Sequence, residues 1–206
     1  NDEFMFEKSN SDLSEKLSGA TFKVYSVTYD KDTKKITGDP TLHCEVITDQ
    51  NGQAKVTDIK AGVIYYWVET NPPMGYEISD PSKHYFVRYD DQTNSKNVVT
   101  ALVNEIIAAN EDISEIMITK GGITKTVTDR KVNLTISKIV TGGDASEYAK
   151  SFKIKVTNTA GINLENVIVS NAVENRVSIS GSTIEFSIAG NSTVSIKDLP
   201  AGTYTV

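Results

Sequence analysis

A single cysteine, Cys44, in a chain of 206 residues excludes an intrachain disulfide. Exported domains are often stapled by such bonds, so a chain like this one working outside a cell must be held together in another way. Histidine is nearly as scarce: His43 adjoins Cys44 and His84 lies far from both. That is too few ligands at too wide a spacing for a metal site. Asp30-Lys31-Asp32 lacks the glycine and acidic sequel of a calcium loop. No metal and no cofactor is therefore expected. No apolar run approaches the roughly 18 residues of a membrane span. Basic clusters are missing too, and the net charge of −6 argues against nucleic acid as a partner. No Ser–His–Asp, phosphate-loop or zinc-hydrolase pattern occurs, so a turnover enzyme is not expected. The N-terminus has no leader pattern, which fits a cytosolic chain or the trimmed product of export.

What the chain does have is strand-forming sequence. Apolar residues at 38% and charged residues at 23% are globular proportions. Thr, Val, Ile and Tyr alternate with polar residues over 21–29, 65–70, 84–89, 123–129, 133–140, 152–157 and 193–196, with Gly, Asn and Asp turns between them. Asp49-Gln50-Asn51-Gly52 is a turn signal. Lys120-Gly121-Gly122 is another, predicting a hairpin of 113–119 with 123–129. One stretch differs. Val98, Val99, Leu102, Val103, Ile106 and Ile107 recur at helical spacing, predicting an amphipathic helix over 97–109 with Asn97 as its N-cap.

The plan occurs twice. Asp58-Ile59-Lys60-Ala61-Gly62 is matched by Asp198-Leu199-Pro200-Ala201-Gly202, each followed by a tyrosine-bearing strand. Phe4-Met5-Phe6-Glu7-Lys8 is matched by Leu134-Thr135-Ile136-Ser137-Lys138. The expected fold is mainly β, two tandem β-sandwich domains. The first, 1–130, carries the inserted helix; the second, 131–206, ends soon after its tyrosine strand begins.

Those two lysines carry the chemistry. Alternate residues of a strand share a face, so Phe4 and Phe6 in a core would bring Lys8 in with them. Read alone, such a lysine snorkels to water. If buried, its ammonium needs a partner. Glu69 alternates with Tyr65 and Trp67 and so shares an apolar face. Asp129 shares parity with Ile123 and Val127.

Three stretches of the first half carry a family resemblance: Phe6-Glu7-Lys8; Leu17-Ser18-Gly19-Ala20-Thr21-Phe22; and Tyr66-Trp67-Val68-Glu69-Thr70-Asn71-Pro72-Pro73-Met74-Gly75-Tyr76. In this order they resemble the CnaB-type, prealbumin-like domain of Gram-positive surface proteins and pilins. The second half is more loosely similar to the isopeptide-forming domains of T-antigen-like backbone pilins, through 134–142, Ser151-Phe152-Lys153-Ile154 and Leu199-Pro200-Ala201-Gly202-Thr203-Tyr204.

The resemblance implies an intramolecular isopeptide bond with Lys8 as nucleophile and Glu69 as promoter. Asp129 is the favoured acceptor and Asn104, in Leu102-Val103-Asn104, the alternative. Lys138 is the second domain's equivalent lysine; its partners would follow Val206, so it is expected to be unbonded. Leu199-Pro200-Ala201-Gly202-Thr203 superficially resembles a sortase signal, but its Gly and Thr are in the wrong order. The implied role is a stalk or shaft segment of a cell-wall-anchored or pilus surface protein, extracellular, with other pilin subunits or the rest of the same surface protein as partners. The alternative is an adhesin module recognising a host matrix protein.

Overall fold

A computed structural model describes residues 2–206, with residues 123 and 124 described by their backbone alone. The chain divides into two compact units. The first holds Asn1–Pro73 and Ile78–Asp129, the second Met74–Glu77 and Arg130–Val206.

The first unit is a sandwich with a helix on its outside. Its strands are β1 (Phe4–Asn10), β2 (Thr21–Tyr29), β3 (Ile36–Ile47), β4 (Gln53–Val56), β5 (Ile64–Asn71), β6 (Glu77–Ile78), β7 (His84–Arg88), β8 (Ile116–Thr119) and β9 (Ile123–Arg130). One sheet runs β4-β1-β9-β6 and the other β3-β2-β5-β7-β8. Between them Phe4, Phe6, Ala54, Val56 and Val127 of the first sheet meet Phe22, Val24, Tyr65, Trp67 and Phe86 of the second in one buried cluster. Phe6 stacks on Trp67 at 4.9 Å and Phe4 on Phe86 at 4.0 Å.

β5 is buried on both faces. Tyr65 and Trp67 face the sandwich, while Ile64 and Tyr66 face the helix α1 (Lys96–Ala109) through Val99, Val103 and Ile106. That second burial explains a helix rich in β-branched residues, because the packed face outweighs their lower helix propensity. Its N-cap is Ser95, not Asn97. The Ser95 hydroxyl accepts from the Val98 N–H, and Asn97 lies within the first turn. At the other end the Asn110 amide donates to the carbonyls of Ile106 and Lys34 and accepts from the Ile36 N–H, tying the helix to the β2–β3 hairpin.

The hairpin expected around Lys120-Gly121-Gly122 does not form. β8 pairs in parallel with β7 in the five-stranded sheet, whereas β9 pairs in parallel with β1 in the other. Gly121 and Gly122, at φ 125° and 88°, turn the chain from one sheet to the next. The Gly122 carbonyl then accepts from the Met5 N–H and starts the β1–β9 pairing.

Two turns hold the backbone of Lys8. Asp49 accepts from the N–H groups of Asn51 and Gln53, closing the turn before β4. Gly52 in that turn accepts from the Lys8 N–H at 2.7 Å, and Leu17 donates to the Lys8 carbonyl at 2.9 Å. Gly52 has φ 69°, and a Cβ there would lie 2.6 Å from the Lys8 carbonyl oxygen. Gly52→Ala should therefore cost about 1–3 kcal/mol in denaturant unfolding, from left-handed strain and displacement of β1. An unchanged midpoint would contradict this placement.

The second unit contains β10 (Val132–Lys138), α2 (Ala145–Tyr148), β11 (Ser151–Asn158), β12 (Ile168–Ser170), β13 (Val177–Ser180), β14 (Thr183–Ala189), β15 (Ser192–Leu199) and β16 (Tyr204–Thr205). Its sheets run β10-β15-β12 and β13-β14-β11-β16 around Val156, Leu164, Ile184, Ile188, Val194 and Ile196.

The sequence repeat corresponds to a shared corner in the two units. Asp58 and Asp198 both take φ near +60°, at 59° and 57°. Ile59 and Leu199 are buried beside them. The Tyr65 hydroxyl accepts from the Lys60 N–H, and the Tyr204 hydroxyl donates to the Pro200 carbonyl. Each tyrosine thus clasps the corner that precedes its strand.

Candidate functional site

Alternation on β1 carries Phe4, Phe6 and Lys8 into the sandwich, and all three are fully buried. β9 runs parallel to β1 with Val127 opposite Lys8 and Asp129 opposite Asn10. Asp129 is thus the diagonal neighbour of Lys8 on the same face, within reach of a long side chain. From the facing sheet, β5 adds Glu69 two residues beyond Trp67.

The three side chains meet. Lys8 Nζ lies 2.6 Å from Glu69 Oε2 and 2.8 Å from Asp129 Oδ1, and the side chains of Lys8, Glu69 and Asp129 are 0%, 1% and 0% exposed. The Phe22 ring centroid is 5.6 Å from Nζ. Asn104 is exposed on α1 and takes no part in this cluster. Lys138 is half-buried on β10 with its amine 4.4 Å from the Phe152 ring, and among the described residues no carboxylate lies within ion-pair distance of it.

Charge decides the protonation of this site. Two carboxylates and one ammonium would leave a net negative charge in an apolar core, which is costly. One proton on a carboxyl makes the trio neutral. Glu69 is the group that holds it. Burial raises its carboxyl to about 7, against the opposing pull of the Lys8 ammonium, and the Asp129 carboxylate raises it further. Glu69 Oε1 and Asp129 Oδ2 are buried without another partner, as expected if a proton is to be accommodated between the two carboxyls.

The raised value fixes a pH dependence. Below about pH 4.5 folded and unfolded chains both hold the Glu69 proton; between 4.5 and 7 only the folded chain does. Stability falls as pH rises through that interval and is level above it. Denaturant unfolding from pH 4.5 to 8 should show this slope, amounting to a few kcal/mol. Glu69→Gln should remove it; an equal slope in that variant would assign the effect elsewhere.

Two contacts at the site leave no mark in side-chain patterning. The Ser11 hydroxyl donates to the Asp129 main-chain carbonyl at 3.0 Å, fixing the end of β9. The Ser79 backbone N–H, just past β6, donates to Asp129 Oδ1 at 3.2 Å. A main-chain donor cannot be recognised from the identity of its residue.

The remaining candidates are accounted for by packing. His43 Nε2 lies 2.9 Å from the Thr57 carbonyl, His84 stacks on Trp67, and Cys44 is half-buried. Among the described residues no group of three or more His, Cys, Asp or Glu is placed to hold a metal ion. No helix there is long and apolar enough to cross a membrane.

Comparison with known proteins agrees with this architecture. Residues 2–102 match the family model of the SpaA prealbumin-like fold domain. Residues 132–206 match a second model, DUF7601, described as a domain of unknown function. The chain is thus a mainly β protein of tandem sandwich units, the first of which matches a prealbumin-like fold domain.

Among solved structures it is similar to BcpA, the major pilin subunit of Bacillus cereus, at 18% identity and a TM-score of 0.40, covering 94% of this chain and 56% of that one. The full-length major pilin SpaD of Corynebacterium diphtheriae is 12% identical at a TM-score of 0.39, with 94% and 56% covered. The TIE protein of Bacillus anthracis is 18% identical at 0.43, with 92% and 32% covered. The chain spans about half the length, or less, of these structures. Among curated proteins none matches it.

Proposed function

We propose that the first unit closes an amide bond between Lys8 Nζ and Asp129 Cγ, and that the chain is a structural segment of a Gram-positive surface fibre, a pilin or adhesin stalk. The observation that carries this reading is the dry meeting of Lys8, Glu69 and Asp129 at ion-pair distance with one acid raised to about 7.

The chemistry balances without a cofactor. Glu69 relays a proton from the Lys8 ammonium, accepting at Oε2 and donating at Oε1 to Asp129 Oδ2, which leaves an amine beside a carboxylic acid whose carbonyl oxygen is Oδ1. Nζ attacks Cγ, and the carbonyl electron pair moves onto Oδ1. Glu69 takes the second proton from the nitrogen at Oε2 and gives its own to the departing Asp129 oxygen, so it ends as it began. The carbonyl re-forms, one amide is made and one water leaves. The reaction happens once per chain and is not turnover.

The geometry suits a load-bearing role. β1 and β9 are adjacent and parallel, so tension entering before Phe4 and leaving after Arg130 loads them in shear. A bond between Lys8 and Asp129 carries that load covalently and keeps the 120 residues between them from extending. At about 3.3–3.6 Å per residue this withholds roughly 400 Å of chain. Pulling single molecules from handles at the ends of the first unit tests it. The bonded chain should show no release of that length, and Lys8→Met should show it. Full extension of the unaltered chain would refute the role. The expected setting is extracellular, among other subunits of the same fibre or the rest of the same surface protein.

A further inference from the structure

We infer that the backbone N–H of Ser79 is the oxyanion donor of the Lys8–Asp129 reaction, an assignment that rests on the amide-forming reading above. Asp129 presents two unlike oxygens. Oδ1 accepts from Ser79 N at 3.2 Å and lies 2.8 Å from Lys8 Nζ. Oδ2 is buried with no backbone or cationic donor and meets only the protonated Glu69 carboxyl. When Nζ bonds to Cγ, the nitrogen can no longer serve Oδ1 as an ion-pair partner. The negative charge that develops on Oδ1 is then met by the Ser79 N–H, already in place and needing no reorganisation. Oδ2, which has no backbone donor to hold it, is the oxygen that takes the Glu69 proton and leaves as water. The two oxygens thus have separate fates, and Ser79 decides which one stays.

The fold places this donor for a reason visible in the topology. β6 is the two-residue strand at the edge of the sheet beside β9. Ser79 follows it directly, so its N–H continues the edge of the sheet towards Asp129. The Ser79 residue itself is exposed, so the identity of its side chain is free while its N–H is not.

The test follows bond formation in time. The full chain is made by cell-free translation, synthesis is stopped, samples are quenched in denaturant at intervals, and the loss of one water is read by intact mass. Ser79→Pro, and the chain with α-hydroxy acid at position 79 in place of serine, should react at least about tenfold more slowly, since loss of one oxyanion donor typically costs 10²–10³-fold. The ester replaces N–H by oxygen with little change of shape, so it remains informative if the proline variant does not fold. Slow approach to the same fully bonded end point would show that the fold is intact and the barrier is raised. An ester-bearing chain that reacts at the unaltered rate overturns the role of Ser79 while leaving the amide bond standing. An unaltered chain that never loses water overturns both.

Discussion

Lys8→Met will lower the stability of the first unit by roughly 4–5 kcal/mol, the chain-entropy value of a cross-link closing a loop of this length. At about 2–4 °C per kcal/mol for a domain of this size or somewhat larger, the melting temperature should drop by roughly 10–20 °C. Methionine keeps the unbranched stem of lysine and its contact with Phe22, so lost apolar contact is a minor part of the effect. The variant also leaves Asp129 and Glu69 buried without their cation. Without the opposing pull of the ammonium, burial favours the protonated Glu69 still more, and the loss should grow as pH rises from 5 to 8. Thermal and denaturant unfolding at those two pH values measure both parts. A midpoint within 2–3 °C of the unaltered chain, by the same scaling, would mean that Lys8 adds neither a bond nor a needed charge.

Glu69→Gln separates the bond from the ion pair. Glutamine fills the same space and can hydrogen-bond Asp129, but it cannot take a proton from Nζ and return one to the leaving oxygen. General acid–base participation of this kind is worth about 10²–10⁴-fold. The variant should therefore fold and keep the mass of its unmodified sequence over any practical storage time. Its stability should fall nearly as far as that of Lys8→Met. The double variant should lose little more, because on the proposed reading either change alone prevents the same covalent bond. A Glu69→Gln chain that still loses water would take Glu69 out of the reaction and leave it a packing role.

Much of this site is readable in the sequence because strand periodicity is strict. Phe4, Phe6 and Lys8 alternate, as do Tyr65, Trp67 and Glu69, and a sandwich core takes whatever its inward positions carry. Asp129 follows from the same parity on β9. What sets Asn104 apart from Asp129 in the structure is the helix that carries it. The similarity to the prealbumin-like family runs out at residue 102, inside α1, where Leu102-Val103-Asn104 has the look of a closing strand. Helical spacing of Val99, Val103 and Ile106 wins there because those residues pack on the outer face of the five-stranded sheet.

Two readings missed for physical reasons. Lys120-Gly121-Gly122 carries the residues of a hairpin turn, but parallel partners on both sides, β7 and β1, draw its flanking strands into different sheets. Local turn chemistry cannot report such long-range pairing. Asn97 is a good capping residue, yet Ser95 lies at the point where the chain leaves extended backbone, and its hydroxyl reaches Val98. The Ser79 N–H lies outside sequence reasoning altogether, since every residue but proline offers one.

The central claim, a bond between Lys8 and Asp129, is tested most directly by the mass of the purified chain under denaturing conditions, followed by fragmentation of its protease digest. The account predicts a mass lower than that of the sequence by one water, and a branched peptide joining the segment of Lys8 to the segment of Asp129. Loss of one ammonia with a branch at Asn104 would move the acceptor, and the mass of the unmodified sequence would contradict the account outright.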